Sequence, residues 1–223
     1  MRIGDVLLKL GKGETLSAGE LDQLRVRMNF IETIASSMAA NTDGAGQLIV
    51  PGRWEILGDQ KLAAAANNIA FSGIPNAFRH LRMIGGLRSD VAGTGEALFI
   101  QLNDDAGNNY DSTRTNLFGD GTVTASNRLS DALWSLGGAV GNTAPASHFG
   151  AIDVFFPDYA GVTFKTAVQV GHAVADHAAG DISVNVAGGT WHSTAIIFKI
   201  LAYPGLGTNW IAGSRLTLYG LSS

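Results

Sequence analysis

Gly-Ser-Arg-Leu-Thr-Leu-Tyr-Gly-Leu, residues 213–221, is the stretch that decides the fold class. Leu216 and Leu218 point to one side of an extended chain, and Arg215 and Thr217 point to the other. A period of two is typical of an antiparallel strand with one buried face. A terminal strand frays unless neighbouring strands hold it. We therefore expect this strand to lie inside a sheet.

Runs of the same kind recur from residue 53 onward, separated by glycine-rich turns. They predict strands at Arg53–Leu57, Ile69–Phe71, Ala77–Ile84, Ala97–Leu102, Ile152–Phe156, Val162–Val170, Ile182–Val186, Ala195–Leu201 and Arg215–Leu221. A parallel sheet needs crossover helices between its strands, and the sequence after Asn41 offers almost none. The exception is Asn127–Leu136, which fits either a short helix or a strand over Ala132–Leu136. The pattern predicts a mainly β protein, a jelly-roll-like antiparallel β-sandwich.

The alternation also assigns side chains to the two faces of the strands. One face is shared by Val162, Phe164, Thr166, Val168 and Val170, and another by Ile182, Val184 and Val186. On the latter strand we expect Asp181, Ser183 and Asn185 to point outward. Two sheets packed face to face need this half-apolar pattern.

An α-helical segment is predicted before the β region. Ser17 and Glu20 form the S-x-x-E pattern of a capping box, and an apolar periodicity runs from about Ala18 to Ala40. The candidate oligomerisation or docking seam, with members three and four residues apart, is Leu21, Leu24, Met28, Ile31, Ala35 and Met38. A second stripe, at Val26, Phe30 and Ile34, makes the apolar surface wider than a two-stranded coiled coil needs. Packing on its own domain, a trimer stalk and a virion-docking helix all remain open.

Small and turn-forming residues at 41–46 end the helical pattern. We therefore predict three regions: a helical anchoring or oligomerisation segment at residues 1–40, a linker and first strand at 41–52, and a β-sandwich domain at 53–223. The first strand is expected at Gln47–Val50.

Composition excludes several classes of function. The chain has no cysteine, so a thiolate nucleophile, a disulfide and a cysteine-based zinc site are impossible. A formal net charge of −4 argues against sequence-independent binding of nucleic acid, which needs a basic face. No apolar stretch approaches the ~20 residues that span a bilayer. The sequence predicts neither nucleic-acid binding nor membrane insertion.

The search for catalytic and metal-binding motifs finds no nucleophile elbow, zinc-protease helix or phosphate-binding loop. We predict no catalytic residue, metal site or cofactor. His172 and His177 lie near Asp176, but loop histidines are more often solvated than ligated. The loop at residues 103–111 is rich in side-chain oxygen yet lacks calcium-loop spacing, so a hydrogen-bonded turn is favoured.

Several of these stretches resemble β-sandwich domains common in tailed-bacteriophage virion proteins. Residues 213–221 are similar to a "GSRFTLYGI"-like ending, and residues 99–111 are similar to a strand that leads into a loop of the "NGDSGANYDY" type. The order also matches: Phe78–Ile84 precedes this loop, Ile152–Ala160 follows it, and Trp191 stands where a tryptophan opens the penultimate strand. The resemblance covers roughly residues 54–221.

This resemblance implies a non-enzymatic virion structural protein, assembled in the host cytoplasm. The first expectation is a homotrimeric fibre or spike on the particle, which contacts other virion proteins through its N-terminal helix and binds a glycan or protein of the host surface. The alternative is a capsid decoration, cement or tail-adaptor protein of the same fold. A second alternative is a carbohydrate-active enzyme, for which Asp153 and Asp158 are candidate acids that the sequence cannot pair.

Overall fold

The computed structural model describes residues 17–20, 22, 52–176 and 181–222. The chain divides into two units, Met1–Val50 and Pro51–Ser223, which are treated separately. In the first unit, residues 18–20 and 22 are helical. The Ser17 backbone N–H donates to the Glu20 carboxylate at 2.9 Å, and the Glu20 backbone N–H donates to the Ser17 hydroxyl at 3.3 Å. This reciprocal pair is the predicted capping box.

The predicted seam and the predicted first strand lie outside the described residues. They comprise Leu21, Leu24, Met28, Ile31, Ala35 and Met38, and residues 47–50. Both therefore remain predictions.

The second unit is mainly β, as the sequence predicted. Its strands are β1 (Trp54–Lys61), β2 (Ile69–Ser72), β3 (Phe78–Leu87), β4 (Gly95–Glu96), β5 (Leu98–Leu102), β6 (Tyr110–Phe118), β7 (Val123–Asp131), β8 (Trp134–Ser135), β9 (Ala139–Val140), β10 (Gly150–Phe156), β11 (Lys165–Asp176), β12 (Asp181–Trp191), β13 (Lys199–Pro204) and β14 (Arg215–Ser222). No helix among the described residues has the length and hydropathy needed to cross a membrane.

These strands form three sheets in which neighbouring strands are antiparallel. The large sheet has the order β1-β14-β3-β10-β11-β12-β6-β7, and the small sheet has the order β2-β13-β5-β8. A two-stranded sheet joins β4 and β9. The antiparallel arrangement agrees with the sequence prediction.

The final strand lies inside the large sheet, between β1 and β3, as expected. Leu216 and Leu218 are almost completely buried, and Arg215 is exposed. The approach to β3 is so close that a Cβ on Gly85 would lie 1.9 Å from the carbonyl oxygen of Arg215. Glycine at position 85 is therefore required by this strand pairing.

Side chains from the large and small sheets share one buried cluster, an arrangement consistent with a β-sandwich. The large sheet contributes Leu81, Met83, Val154, Phe156, Leu216 and Leu218. The small sheet contributes Ile69, Phe71, Leu98, Ile100, Leu102, Ile200 and Ala202. Burial of these side chains supplies most of the favourable free energy of folding.

Four of the described strands, β4, β6, β7 and β9, were missed, and one alternative was wrong. The sequence did not predict β6 or β7, and the short helix considered for Asn127–Leu136 does not form, because β7 and β8 occupy this stretch. Eight of the nine residues of β7 are exposed, so no apolar face marks the strand. Trp191 does not open the penultimate strand; it ends β12.

The orientation predicted for β12 was also wrong. Val184 and Val186 are 41% and 52% exposed, whereas Asn185 is only 5% exposed. On β11, Val168 and Val170 do share a face, but that face points outward too. The inner side of these strands meets a turn, where the Gln169 amide donates to the carbonyl oxygen of Gly137 at 3.1 Å. Because the inner side makes polar contacts here, the amide side chains point inward and the valines point outward, the reverse of the usual arrangement in a β-sandwich.

Candidate functional site

The loop at residues 103–111 is a structural turn. Asn103 and Asp104 adopt left-handed backbone conformations, with φ of 54° and 58°. Asn103 accepts hydrogen bonds from the backbone N–H groups of Phe198 and Lys199, at 2.9 and 3.0 Å. The Lys199 ammonium group donates to Asp104 at 2.7 Å. The polar side chains of this loop bind the protein's own backbone and a lysine.

Asp105 joins this loop to the end of β12. Its carboxylate accepts hydrogen bonds from the Trp191 indole at 2.7 Å, from the Gly107 backbone at 2.9 Å and from the Asn109 amide at 2.9 Å. Partial burial would raise the pKa of Asp105, but these hydrogen bonds outweigh it and lower the pKa. The hydrogen-bonded turn favoured by the sequence is therefore what this loop forms.

The histidines considered as metal ligands do not form a described site. His172 places Nδ1 3.0 Å from the carbonyl oxygen of Ser183, and His177 lies outside the described residues. Within the described ranges, no three histidine, aspartate or glutamate residues lie together in a way that could hold a metal ion.

The two acids considered for glycoside hydrolysis have separate surroundings. Asp153 accepts a hydrogen bond from Arg82 at 2.8 Å within an ion pair. The backbone N–H of Asp158 donates to His80 at 3.0 Å. Neither acid lines the cleft described below.

Most of the tryptophan and tyrosine side chains lie in the core. Fully or almost fully buried are Tyr110, Trp134, Tyr159, Trp191 and Trp210. Burial raises the pKa of Tyr159 to about 12, although a hydrogen bond from the Phe78 backbone opposes the shift. The buried rings are therefore not available to stack on a sugar.

The outer surface of the large sheet carries a row of exposed apolar side chains, the valine face. It consists of Val168, Val170, Val184, Val186, Leu117 and Val123, which are between 41% and 61% exposed. Cross-strand pairing makes the row continuous, because Val170 lies opposite Val186, Val184 opposite Leu117, and Leu117 opposite Val123. The face therefore spans four adjacent strands.

The inner surface of the same strands forms a polar cleft of about 260 Å³. We call it the Arg114 cleft. Its floor includes Arg114, Asn116 and Phe118 of β6 and Ser183 and Asn185 of β12. The floor is polar because β6 and β12 turn amides, a hydroxyl and a guanidinium inward.

Arg114 is the cation of this cleft. Its Nη1 donates to the carbonyl oxygen of Leu136 at 3.0 Å, while its Nε is buried without a partner. Among the described residues, no carboxylate forms an ion pair with it. Burial lowers the pKa of Arg114, and the nearby Arg128 adds a smaller lowering. An arginine remains charged despite such shifts, so Arg114 brings to the cleft a positive charge that no described carboxylate pairs with directly.

Glu96 also lines the cleft but forms no ion pair with Arg114. Its carboxylate accepts four backbone N–H groups, from Ala97 at 2.7 Å, Gly205 at 3.1 Å, Leu206 at 2.9 Å and Gly207 at 2.7 Å. These donors fix the turn at residues 205–207. The role of Glu96 is therefore structural.

The turn at Gly137 and Gly138 closes the cleft from one side. A Cβ on Gly137 would lie 1.7 Å from the amide nitrogen of Asn185, and Gly138 has a φ of +91°. Asn185 also accepts from the buried Gln169 amide at 3.3 Å. Gln169 and Asn185 lie between valines on their strands, and this spacing was the signal in the sequence that one face of these strands is polar, although it does not locate the cleft.

Comparisons with known proteins add little to this geometry. No family model matches the chain, and no curated protein matches it. Two solved structures of scytalido-glutamic peptidase with transition-state analogues are weakly similar, each at 10% sequence identity. One has a TM-score of 0.28 over 71% of this chain and 75% of that chain, and the other has 0.24 over 73% and 65%. At these scores the likeness supports no functional argument.

Proposed function

We propose that this chain is a non-enzymatic structural protein of a tailed-bacteriophage virion, most simply a homotrimeric fibre or spike. Two lines support the proposal. The motifs near residues 99–111 and 213–221 resemble those of phage β-sandwich domains, and the valine face offers a surface for assembly. The valine face is the observation that carries the proposal.

The valine face suits contact between copies of the chain. Monomeric proteins rarely expose contiguous apolar patches larger than a few hundred Å². Here six apolar side chains adjoin across four neighbouring strands. Association would remove this surface from water and so stabilise the oligomer.

The jelly-roll topology is part of the same proposal. Successive strands move between the sheets: β1 and β3 lie in the large sheet, while β2 and β5 lie in the small one. Jelly rolls are built from strands that alternate between two sheets in this way.

Light scattering on a sizing column tests the assembly role. The full chain should elute as a trimer, and Val170→Asp should shift it toward monomer, because a charge in an apolar interface is costly. The matched control is Val162→Asp, since Val162 is 87% exposed and is not part of the valine face. A monomeric wild-type chain, or a trimer unaffected by Val170→Asp, would contradict assembly through this face.

The predicted helical seam provides an independent arm of the experiment. Leu24→Asp combined with Ile31→Asp should dissociate a trimer held by the N-terminal helix while the β unit stays folded. If this pair has no effect and Val170→Asp does, the valine face rather than the helix holds the copies together.

A further inference from the structure

The Arg114 cleft has the features of a ligand site that the assembly role does not use. It combines an unpaired cation with neutral amide and hydroxyl groups, and it opens on the inner side of the sheet, away from the valine face. A charged side chain held in a part-buried position without a counter-ion is costly. A bound anion would offset that cost.

We propose that the Arg114 cleft binds a uronic acid, a single sugar ring that carries a carboxylate and several hydroxyl groups. The inference is independent of the assembly role proposed above. It rests on the cation of Arg114, which has no ion-pair partner among the described residues, on the neutral groups around it and on the size of the cleft.

The carboxylate is the group that Arg114 would recognise. Its Nη1 is held by the Leu136 carbonyl, which fixes the orientation of the guanidinium plane. Its Nη2 donates to no other described residue. Hydrogen bonds between arginine and carboxylate are charge-assisted and stronger than neutral ones. Arg114 is therefore positioned in advance for an anion, at little further entropic cost.

The hydroxyl groups of the ring have partners on the cleft floor. Asn116 and Asn185 face each other across β6 and β12, and Ser183 lies on the same floor. Amide and hydroxyl groups can both donate to and accept from sugar hydroxyls. Phe118 adds an apolar surface of the kind that packs against the C–H groups of a sugar ring.

The size of the cleft limits the ligand. Pockets for drug-sized molecules are ~300–1,000 Å³, and this cleft, at about 260 Å³, lies just below that range. One ring fits this volume better than an extended polymer. A terminal uronic acid on a longer chain could enter by its end.

Saturation-transfer NMR with the full chain would test the proposal, with galacturonate as the ligand and galactose as its neutral counterpart. Galacturonate should bind at least about tenfold more tightly than galactose, because the charge-assisted contact is lost in the neutral sugar. Raising the salt concentration should weaken the binding of galacturonate and leave the binding of galactose unchanged. Equal binding of the two sugars, or no binding of galacturonate, would overturn the proposal.

Single substitutions test whether galacturonate binds in this cleft. Arg114→Gln should weaken galacturonate binding about tenfold or more. The matched control is Arg79→Gln, which removes an exposed cation of β3 that does not line the cleft. It should change the affinity less than twofold.

If Arg114→Gln fails to fold, a second variant, Asn116→Asp, tests the same proposal. Asn116→Asp places a carboxylate two residues from Arg114 on the same strand face, where it supplies the missing counter-ion and repels the ligand. The Asn116 amide donates to the Thr124 hydroxyl at 3.1 Å, and the aspartate can accept from that hydroxyl instead, so the contact is kept with its direction reversed. Unchanged galacturonate binding in folded Asn116→Asp would overturn the assignment to the Arg114 cleft.

Discussion

The two ends of the large sheet use the same alternating pattern with opposite results. At the end formed by β14, β3 and β10, the apolar residues point inward, and Leu218 and Val154 are at most 1% exposed. Where β12 and β6 carry the valine face, Val184, Val186 and Leu117 point outward, and Asn185 and Arg114 point inward. Alternation therefore sets which residues share a face, but what packs on the sheet decides which face is buried.

The difference follows from what lies against each end. Side chains of the small sheet join the same buried cluster as those of β14, β3 and β10. At the other end the inner face meets the turn at Gly137 and Gly138, and the Arg114 cleft opens beyond it. Against the backbone of this turn inward valines would gain little, whereas Gln169 and Asn185 form hydrogen bonds there.

The largest effect on stability is expected for a buried leucine of the large sheet, in contrast to an exposed leucine of the same sheet. Leu218→Ala should lower the free energy of unfolding by about 2–5 kcal/mol, because it opens a cavity in a packed core. Leu117→Ala should change it by about 0.5 kcal/mol or less, since Leu117 is 52% exposed. Chemical denaturation below the concentration at which copies associate measures both. Equal losses would mean that both ends of the sheet are covered in solution.

The sequence was sufficient to predict the strands that bury an apolar face against the other sheet. It located β14 and its buried leucines, the strands of the small sheet that carry apolar runs, and the capping box at Ser17. It did not locate β7, which is exposed on both faces, or β6, which turns polar residues such as Ser112, Arg114 and Asn116 inward, so neither strand has a hydrophobic period. The predicted orientation of β12 was wrong because the residues that pack against its inner face come from a turn that is distant in the sequence.

An intermediate effect is expected at Asp105, which joins the loop after β5 to the last residue of β12. Asp105→Ala removes the acceptor of the Trp191 indole and of the Gly107 backbone N–H. Buried donors left unpaired cost about 1–3 kcal/mol each, and these are only partly buried. We expect a total loss of about 1–2 kcal/mol, measured by denaturation at neutral pH.

The pH dependence sharpens the same prediction. Because folding lowers the pKa of Asp105, its contribution is present above the ordinary value of 3.8 and is lost as the pH falls through the folded-state pKa. Stability of the wild-type chain should therefore fall more steeply below pH 3.8 than that of Asp105→Ala. Parallel acid profiles would show that Asp105 does not bind Trp191 in solution.

The candidate cleft could not be predicted from the sequence for a different reason. Arg114, Asn185 and Gly137 are far apart along the chain, and no short motif joins them. They meet because β6 pairs with β12 and because glycine at position 137 lets the turn approach the Asn185 amide. Spacing along the chain reveals local sites such as the capping box, whereas a cleft built by strand pairing depends on the register of the sheet.

The smallest expected effect is on the outer surface, where Arg82 and Asp153 form an ion pair beside the valine face. The hydrogen bond with Asp153 raises the pKa of Arg82, but the side chains are 45% and 39% exposed. Solvent screens such pairs, so the coupling energy from a double-mutant cycle with Arg82→Gln and Asp153→Asn should be about 0–1 kcal/mol. It should fall further in high salt. If copies of the chain cover this face, the coupling should instead grow with protein concentration, because assembly removes the pair from water and reduces the screening.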